Sequence, residues 1–292
     1  MKRVINFMGI RHAAFAVTVL LTLVSLGSLA VKGLNFGLDF TGGALIELNY
    51  EQPADLAKVR GQLAEAGYGD ALVQHFGATT DVVVRLQGDD PQLGNRLAAD
   101  LDKVSAEQFS VKRVEFVGPA VGEELRDQGG LGMLLALGGI LIYVAFRFQW
   151  KFGFGAIVSL IHDVIVTLGV FSFFQIPFDL TVLAAVLALI GYSLNDTIVV
   201  FDRIREYLKL YPKRDLKENV NNAINSTLSR TINTSGTTLV TLLAIFFFGG
   251  ETIRGFIFAL TVGVIVGTVA TIFIATPVAY DLMAKRAKID KE

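Results

Sequence analysis

One carboxylate in this sequence stands where a carboxylate is expensive. Asp196 lies in an otherwise apolar run, five residues before Phe201 and roughly 8 Å from that end of a helix. Tyr192, Ser193 and Asp196 fall on one helical face, with Asn195 and Thr197 beside it. A second polar stripe, Arg230, Thr234, Thr237 and Thr241, recurs at spacings of four, three and four, with Asn233 flanking it. On a helix that begins near Ala223, the Arg230 side chain is long enough to reach Asp196. Ser159, Asp163 and Thr167 make a third stripe beside His162. Ionisable groups in membrane spans face a protein interior or a wet cavity. Burial and a nearby arginine act on a carboxylate's proton affinity in opposite senses, so a moving arginine can switch it. The driving force suffices, since one charge crossing 100 mV is worth about 2.3 kcal/mol. Asp196 and Arg230 are therefore the expected ion-coupling residues. For His162, Asp163, Asn195 and Thr234 two readings stay open, an ion path or hydrogen-bond contacts between helices.

The elements that must hold these residues are membrane spans. The chain has 292 residues, 52% hydrophobic and 18% charged, with the charges clustered. About 20 apolar residues cross a hydrocarbon core of about 30 Å. The apolar runs give six spans: 13–31, 129–146, 152–176, 180–201, 223–250 and 255–280. Ser28-Leu29-Ala30 resembles a signal-peptidase site, but the first run is longer than a usual signal core and five spans follow, so an uncleaved anchor is expected. Lys2, Arg3, Arg11, Arg147, Lys151, the basic loop 202–222 and the tail 281–292 fall on one side, and the two short loops opposite hold only Arg254. That bias places segment 1–12 and the C-terminal tail in the cytoplasm of a bacterial inner-membrane protein. Lipid is thus the first expected partner.

Between the first two spans, residues 32–128 read as an extracytoplasmic α+β domain. Strands are expected at 44–50, 71–76, 81–86 and 110–117, and helices at 53–66 and 91–105. The order βαββαβ is the ferredoxin-like arrangement. The glycine-rich run 37–43, with Asp39, Gly42 and Gly43, precedes a strand, so a structural turn is the better reading than a phosphate cradle.

The sequence excludes several chemistries. It has no cysteine and therefore neither disulfides nor thiolate metal sites. His12 and His75 lack partners at metal-ligand spacing, and no hydrolase or P-loop motif occurs. No cofactor, metal or catalytic residue is expected. A net charge of −1 provides no basic field for nucleic acid.

Several motifs resemble one family. Residues 37–43 (Gly-Leu-Asp-Phe-Thr-Gly-Gly), 117–125 (Val-Gly-Pro-Ala-Val-Gly-Glu-Glu-Leu) and His162-Asp163-Val164 are similar to segments of the protein-export membrane subunits SecD and SecF. The most specific are 191–206 (Gly-Tyr-Ser-Leu-Asn-Asp-Thr-Ile-Val-Val-Phe-Asp-Arg-Ile-Arg-Glu) and 228–235 (Leu-Ser-Arg-Thr-Ile-Asn-Thr-Ser). The match runs from about Asn35 to Met283 and is closest to the SecF side of the family. The resemblance implies a half-transporter of the resistance-nodulation-division superfamily. Such a subunit pairs with six-span SecD, works beside the SecYEG channel and YajC, and uses the proton-motive force, or sodium in some species, to draw unfolded preproteins across. It also implies an ion-coupling role for Asp196 and Arg230. A small-molecule exporter half is a rival, though its outside domains are usually larger. A passive scaffold and an intramembrane protease are weaker alternatives.

Overall fold

The computed structural model describes residues 5–105, 107–250 and 253–289. Lys2, Arg3 and Lys291 of the expected cytoplasmic charge lie outside the described residues, as do the side chains of Arg286 and Lys288. The chain divides into two compact units, 36–132 and the remainder.

The smaller unit is a four-stranded antiparallel sheet with two helices on one face. In chain order it comprises a single helical turn α2 (Leu38–Thr41), β1 (Gly43–Tyr50), α3 (Leu56–Glu65), β2 (Leu72–Phe76), β3 (Ala78–Leu86), α4 (Leu93–Val104) and β4 (Phe109–Val117). The sheet order is β2-β3-β1-β4. Alternation sets the faces. Ile46, Leu48 and Tyr50 of β1 and Val82 and Val84 of β3 pack beneath Val59, Leu63, Leu97 and Leu101 of the helices. On the other face Leu38 of α2 covers Leu45 and Val83. The expected helix start at Pro53 moves to Leu56, because Asp55 caps the helix by accepting a hydrogen bond from the Ala57 backbone amide (2.8 Å). The expected four-residue turn between β2 and β3 shrinks to Gly77, whose φ of +78° allows a tighter reversal.

The larger unit contains six helices long and apolar enough to cross a membrane. They are α1 (Phe7–Lys32), α5 (Pro119–Arg147, which begins in the smaller unit), α6 (Trp150–Phe174), α7 (Leu180–Leu210), α8 (Leu216–Phe248) and a last span built from α9 (Arg254–Ala270), a π segment (Thr271–Ala275) and α10 (Thr276–Ile289). The protein is therefore a multi-pass membrane protein with a small sheet domain. Carboxylate caps mark the starts of two spans: Asp179 accepts from the Val182 amide and Asp215 from the Lys217 amide. Half of the apolar window is buried in α6, α7 and the last span, against 6% in α5, so these three form the centre of the bundle. Phe148, Phe152 and Phe201 stack at one end of it, where Arg147 pairs with Asp202.

The last span is one uninterrupted apolar run in the sequence but not one regular helix. Pro277 has no N–H to give, and just before it the Thr276 amide bonds five residues back to the Thr271 carbonyl. The widened turn brings the buried Thr271 side chain against α7.

Candidate functional site

Asp196 sits on α7 between two packed helices. Thr231 Oγ1, on α8, donates to its Oδ1 at 2.8 Å. The other oxygen, Oδ2, is buried and has no hydrogen-bond partner. A carboxylate accepts at about four positions, so this one is left under-satisfied. Around it runs a belt of hydroxyls. Thr197 and Thr271 share a hydrogen bond (2.8 Å), Ser235 and Thr268 share another (2.8 Å), and Tyr192 Oη reaches Ser235 (3.4 Å) and Thr238 (3.5 Å). Three spans thus meet through short polar side chains, which allow close approach and satisfy one another inside a low-dielectric bundle.

Arg230 is placed differently from the expectation. It is exposed, and among the described residues it acts on Asp196 by charge and not by a hydrogen bond. Thr234, Thr237 and Thr241 share its exposed face, and each hydroxyl donates to a carbonyl of its own helix. The stripe that faces Asp196 lies one residue further round α8: Thr227, Thr231, Ser235 and Thr238. The sequence reading missed Thr231, Ser235, Thr268 and Thr271. Their signal was available as hydroxyl residues at helical spacing along two apolar helices.

Asp163 on α6 lies 1% exposed. Ser193 Oγ of α7 donates to its Oδ2 at 2.6 Å, and His162 Nδ1 lies 3.2 Å from its Oδ1. Gly267 of α9 closes the third side, where even a Cβ would stand 3.4 Å from Asp163 Oδ2. Thr167 donates to the Asp163 carbonyl (2.7 Å). Asn195, by contrast, is exposed on the far side of α7. Ser193, which holds Asp163, and Asp196 are therefore one turn apart on α7.

The run containing Asp39, Gly42 and Gly43 forms the single turn α2 and its exit into β1. Gly42 and Gly43 have φ of +66° and +108°. A Cβ at Gly43 would stand 2.3 Å from the Leu86 carbonyl oxygen, and one at Gly42 2.9 Å from Pro119 Cα. The two glycines let the chain double back tightly enough for Leu38 to cover the sheet. His75 and His12 are exposed, and among the described residues no cluster of three metal-ligating side chains occurs.

A multi-pass bundle with two span carboxylates, one buried and one half-buried, and a small sheet domain describes a class of membrane protein; comparison narrows it. The SecD/SecF C-terminal family of protein export membrane proteins matches residues 97–285, and the SecD/SecF GG motif matches residues 27–54. The chain belongs to the SecD/SecF family. It is 63% identical over 275 residues to the protein translocase subunit SecF of Pseudomonas aeruginosa, covering 94% of this chain and 90% of the relative. The SecF subunit of Escherichia coli O157:H7 is 39% identical, with 100% and 93% covered. The crystal structure of SecDF from Thermus thermophilus, described as a translocon-associated membrane protein, superposes with a TM-score of 0.88 at 38% identity. That match covers 98% of this chain but 39% of the other. SecDF in its super-membrane-facing form gives a TM-score of 0.74 at 37% identity, with 100% and 40% covered. The chain thus spans about two fifths of those structures.

Proposed function

We propose that this chain is a SecF-type subunit of the protein-export machinery that couples ion flow to the movement of unfolded preproteins across the membrane. The observation that carries the reading is Asp196. It is a carboxylate in the middle span of the bundle, with one oxygen held by Thr231 and the other buried without a donor. Such a group is costly unless it takes up and releases a cation. Arg230 acts on it through its charge. The proton is the ion we favour, driven by the proton-motive force, and Asp196 suits sodium as well.

The partner is a second six-span half of SecD type. Two observations support it: the chain covers only two fifths of the SecDF structures, and the Arg230 face of α8 is exposed. SecYEG, YajC and the preprotein follow from the family. The excess of lysine and arginine on one side supports an inner-membrane location with both termini cytoplasmic and the sheet domain outside. That domain's βαββαβ order and its sheet order β2-β3-β1-β4 support the ferredoxin-like reading. The role is non-enzymatic: the chain moves ions and polypeptide and makes or breaks no covalent bond.

The test is preprotein export in cells whose only copy carries Asp196→Asn at normal membrane levels. The change is nearly isosteric. Export as poor as in a deletion supports coupling. Normal export favours the second reading, a scaffold whose span charges only tie helices together.

A further inference from the structure

Asp196 is half-buried, whereas Asp163 of the same bundle is 1% exposed, and nothing in the coupling scheme yet uses Asp163. We propose that His162, Asp163 and Ser193 form a second proton-holding site, filled and emptied in the same cycle as Asp196. The inference rests on the proton-coupled reading above and extends it to a named second group.

The geometry is that of a built site. Asp163 is enclosed on three sides by His162, Ser193 and Gly267. His162 is 7% exposed, and its Nε2 is buried with no partner. Ser159 Oγ, one turn away on the same face of α6, is also buried and unpartnered. Buried polar atoms are ordinarily satisfied. Here two remain in one turn of helix, beside a carboxylate.

The surroundings offer no fixed counter-charge. α1, α7, α9, the π segment and α10 pack most closely against α6. Against Asp163 itself, α7 brings Ser193 and α9 brings Gly267. Elsewhere α1 brings Ser25 to Gly169 and Ser28 to Ser172, and the π segment and α10 bring Ala275 and Ala279 to Gly155. Arg11 of α1 is paired with Asp281 of α10. Among the described residues no lysine or arginine forms an ion pair with Asp163. With neutral His162 and ionised Asp163 the pair carries a net charge of −1. Uptake of one proton, on Asp163 Oδ1 or on the ring as imidazolium, brings the pair to zero. Release restores the charge.

The site also communicates with Asp196. Ser193, which donates to Asp163, and Asp196 are three residues apart on α7 and so adjacent on its surface. Any shift of α7 that carries Asp196 relative to Thr231 carries Ser193 relative to Asp163. The two carboxylates therefore feel one moving element.

The measurement is infrared difference spectroscopy of the full chain in lipid membranes, stepped through pH, on the carboxylic-acid C=O stretch. In Asp196→Asn one buried, titrating C=O band should persist, and adding Asp163→Asn should abolish it. Should the double variant fail to fold, Asp196→Asn combined with Ser193→Ala or His162→Gln keeps the carboxyl, and either addition should change the frequency of that band. Absence of a residual band in Asp196→Asn, or a band indifferent to changes at Asp163, Ser193 and His162, overturns the proposal. A wild-type spectrum identical to that of Asp196→Asn counts against Asp196 and leaves the second site to be judged on its own band.

Discussion

Thr231 donates to one oxygen of Asp196 across the α7–α8 contact, and the other oxygen has no donor. On the proposed coupling role, the hydroxyl holds one oxygen and leaves the other to take the ion. Thr231→Val keeps the shape and removes the donor, at a cost of about 1–3 kcal/mol for an unsatisfied buried group. Gradient-dependent export should fall by about 5- to 150-fold, the factor to which that range corresponds. Thr231→Ser should restore it. Equal export by all three proteins, measured as preprotein maturation rate, would contradict the assignment.

Arg230 is exposed and acts on Asp196 by charge, so its removal should leave folding intact. Arg230→Ala should change stability by less than about 0.5 kcal/mol, as surface substitutions do, while abolishing ion-driven export. Arg230→Lys keeps the charge but loses the planar fork and should be intermediate. Membrane levels and export rates of the two variants, compared side by side, decide it.

The lone charge of Asp196 was visible in the sequence because nothing near it in the span competes for attention. Which face of α8 meets it was not. Arg230-Thr234-Thr237 and Thr231-Ser235-Thr238 have the same spacing of four and three and are offset by one residue, a rotation of about 100°. Spacing fixes a stripe but not its direction. The direct hydrogen bond to Asp196 comes from Thr231, while Arg230 acts on it through its charge. Element order in the sheet domain was legible from the alternation and helical spacing of its apolar residues. The early helix start at Pro53 failed because the cap, not the proline, sets the first turn. The π segment was hidden, since a proline near the end of an apolar run predicts a disturbance but not its register.

Gly43→Ala should damage the sheet domain. The position has φ +108°, and a Cβ there meets a backbone carbonyl that cannot give way. Strained backbone of this kind costs about 1–3 kcal/mol, before the clash is added. Limited proteolysis of the full chain should show cleavage within the sheet domain that wild type resists, with the span helices still protected. Gly61→Ala, on an exposed turn of α3 with open space around it, is the control.

Tyr50 gives the domain a pH dependence. Burial, helped by the Glu107 charge, pushes its phenol up to about 12, against 10.0 for a free tyrosine. Between those values the unfolded chain has lost the proton and the folded domain still holds it. The contribution is therefore complete below pH 10 and is lost as pH rises toward 12. Tyr50→Phe should blunt the fall in domain stability over that window. Its Oη is buried with no partner, so the change should cost little at neutral pH. Thermal unfolding of the full chain, followed through the domain at both pH values, checks the sign.

The central claim is that Asp196 carries the coupling ion. The most direct measurement uses inverted membrane vesicles holding an arrested preprotein and compares completion of transport with and without an imposed proton gradient. In wild type the gradient should accelerate completion, and in Asp196→Asn at equal membrane levels it should add nothing to the rate without it. An Asp196→Asn protein that responds to the gradient as wild type does would contradict the account.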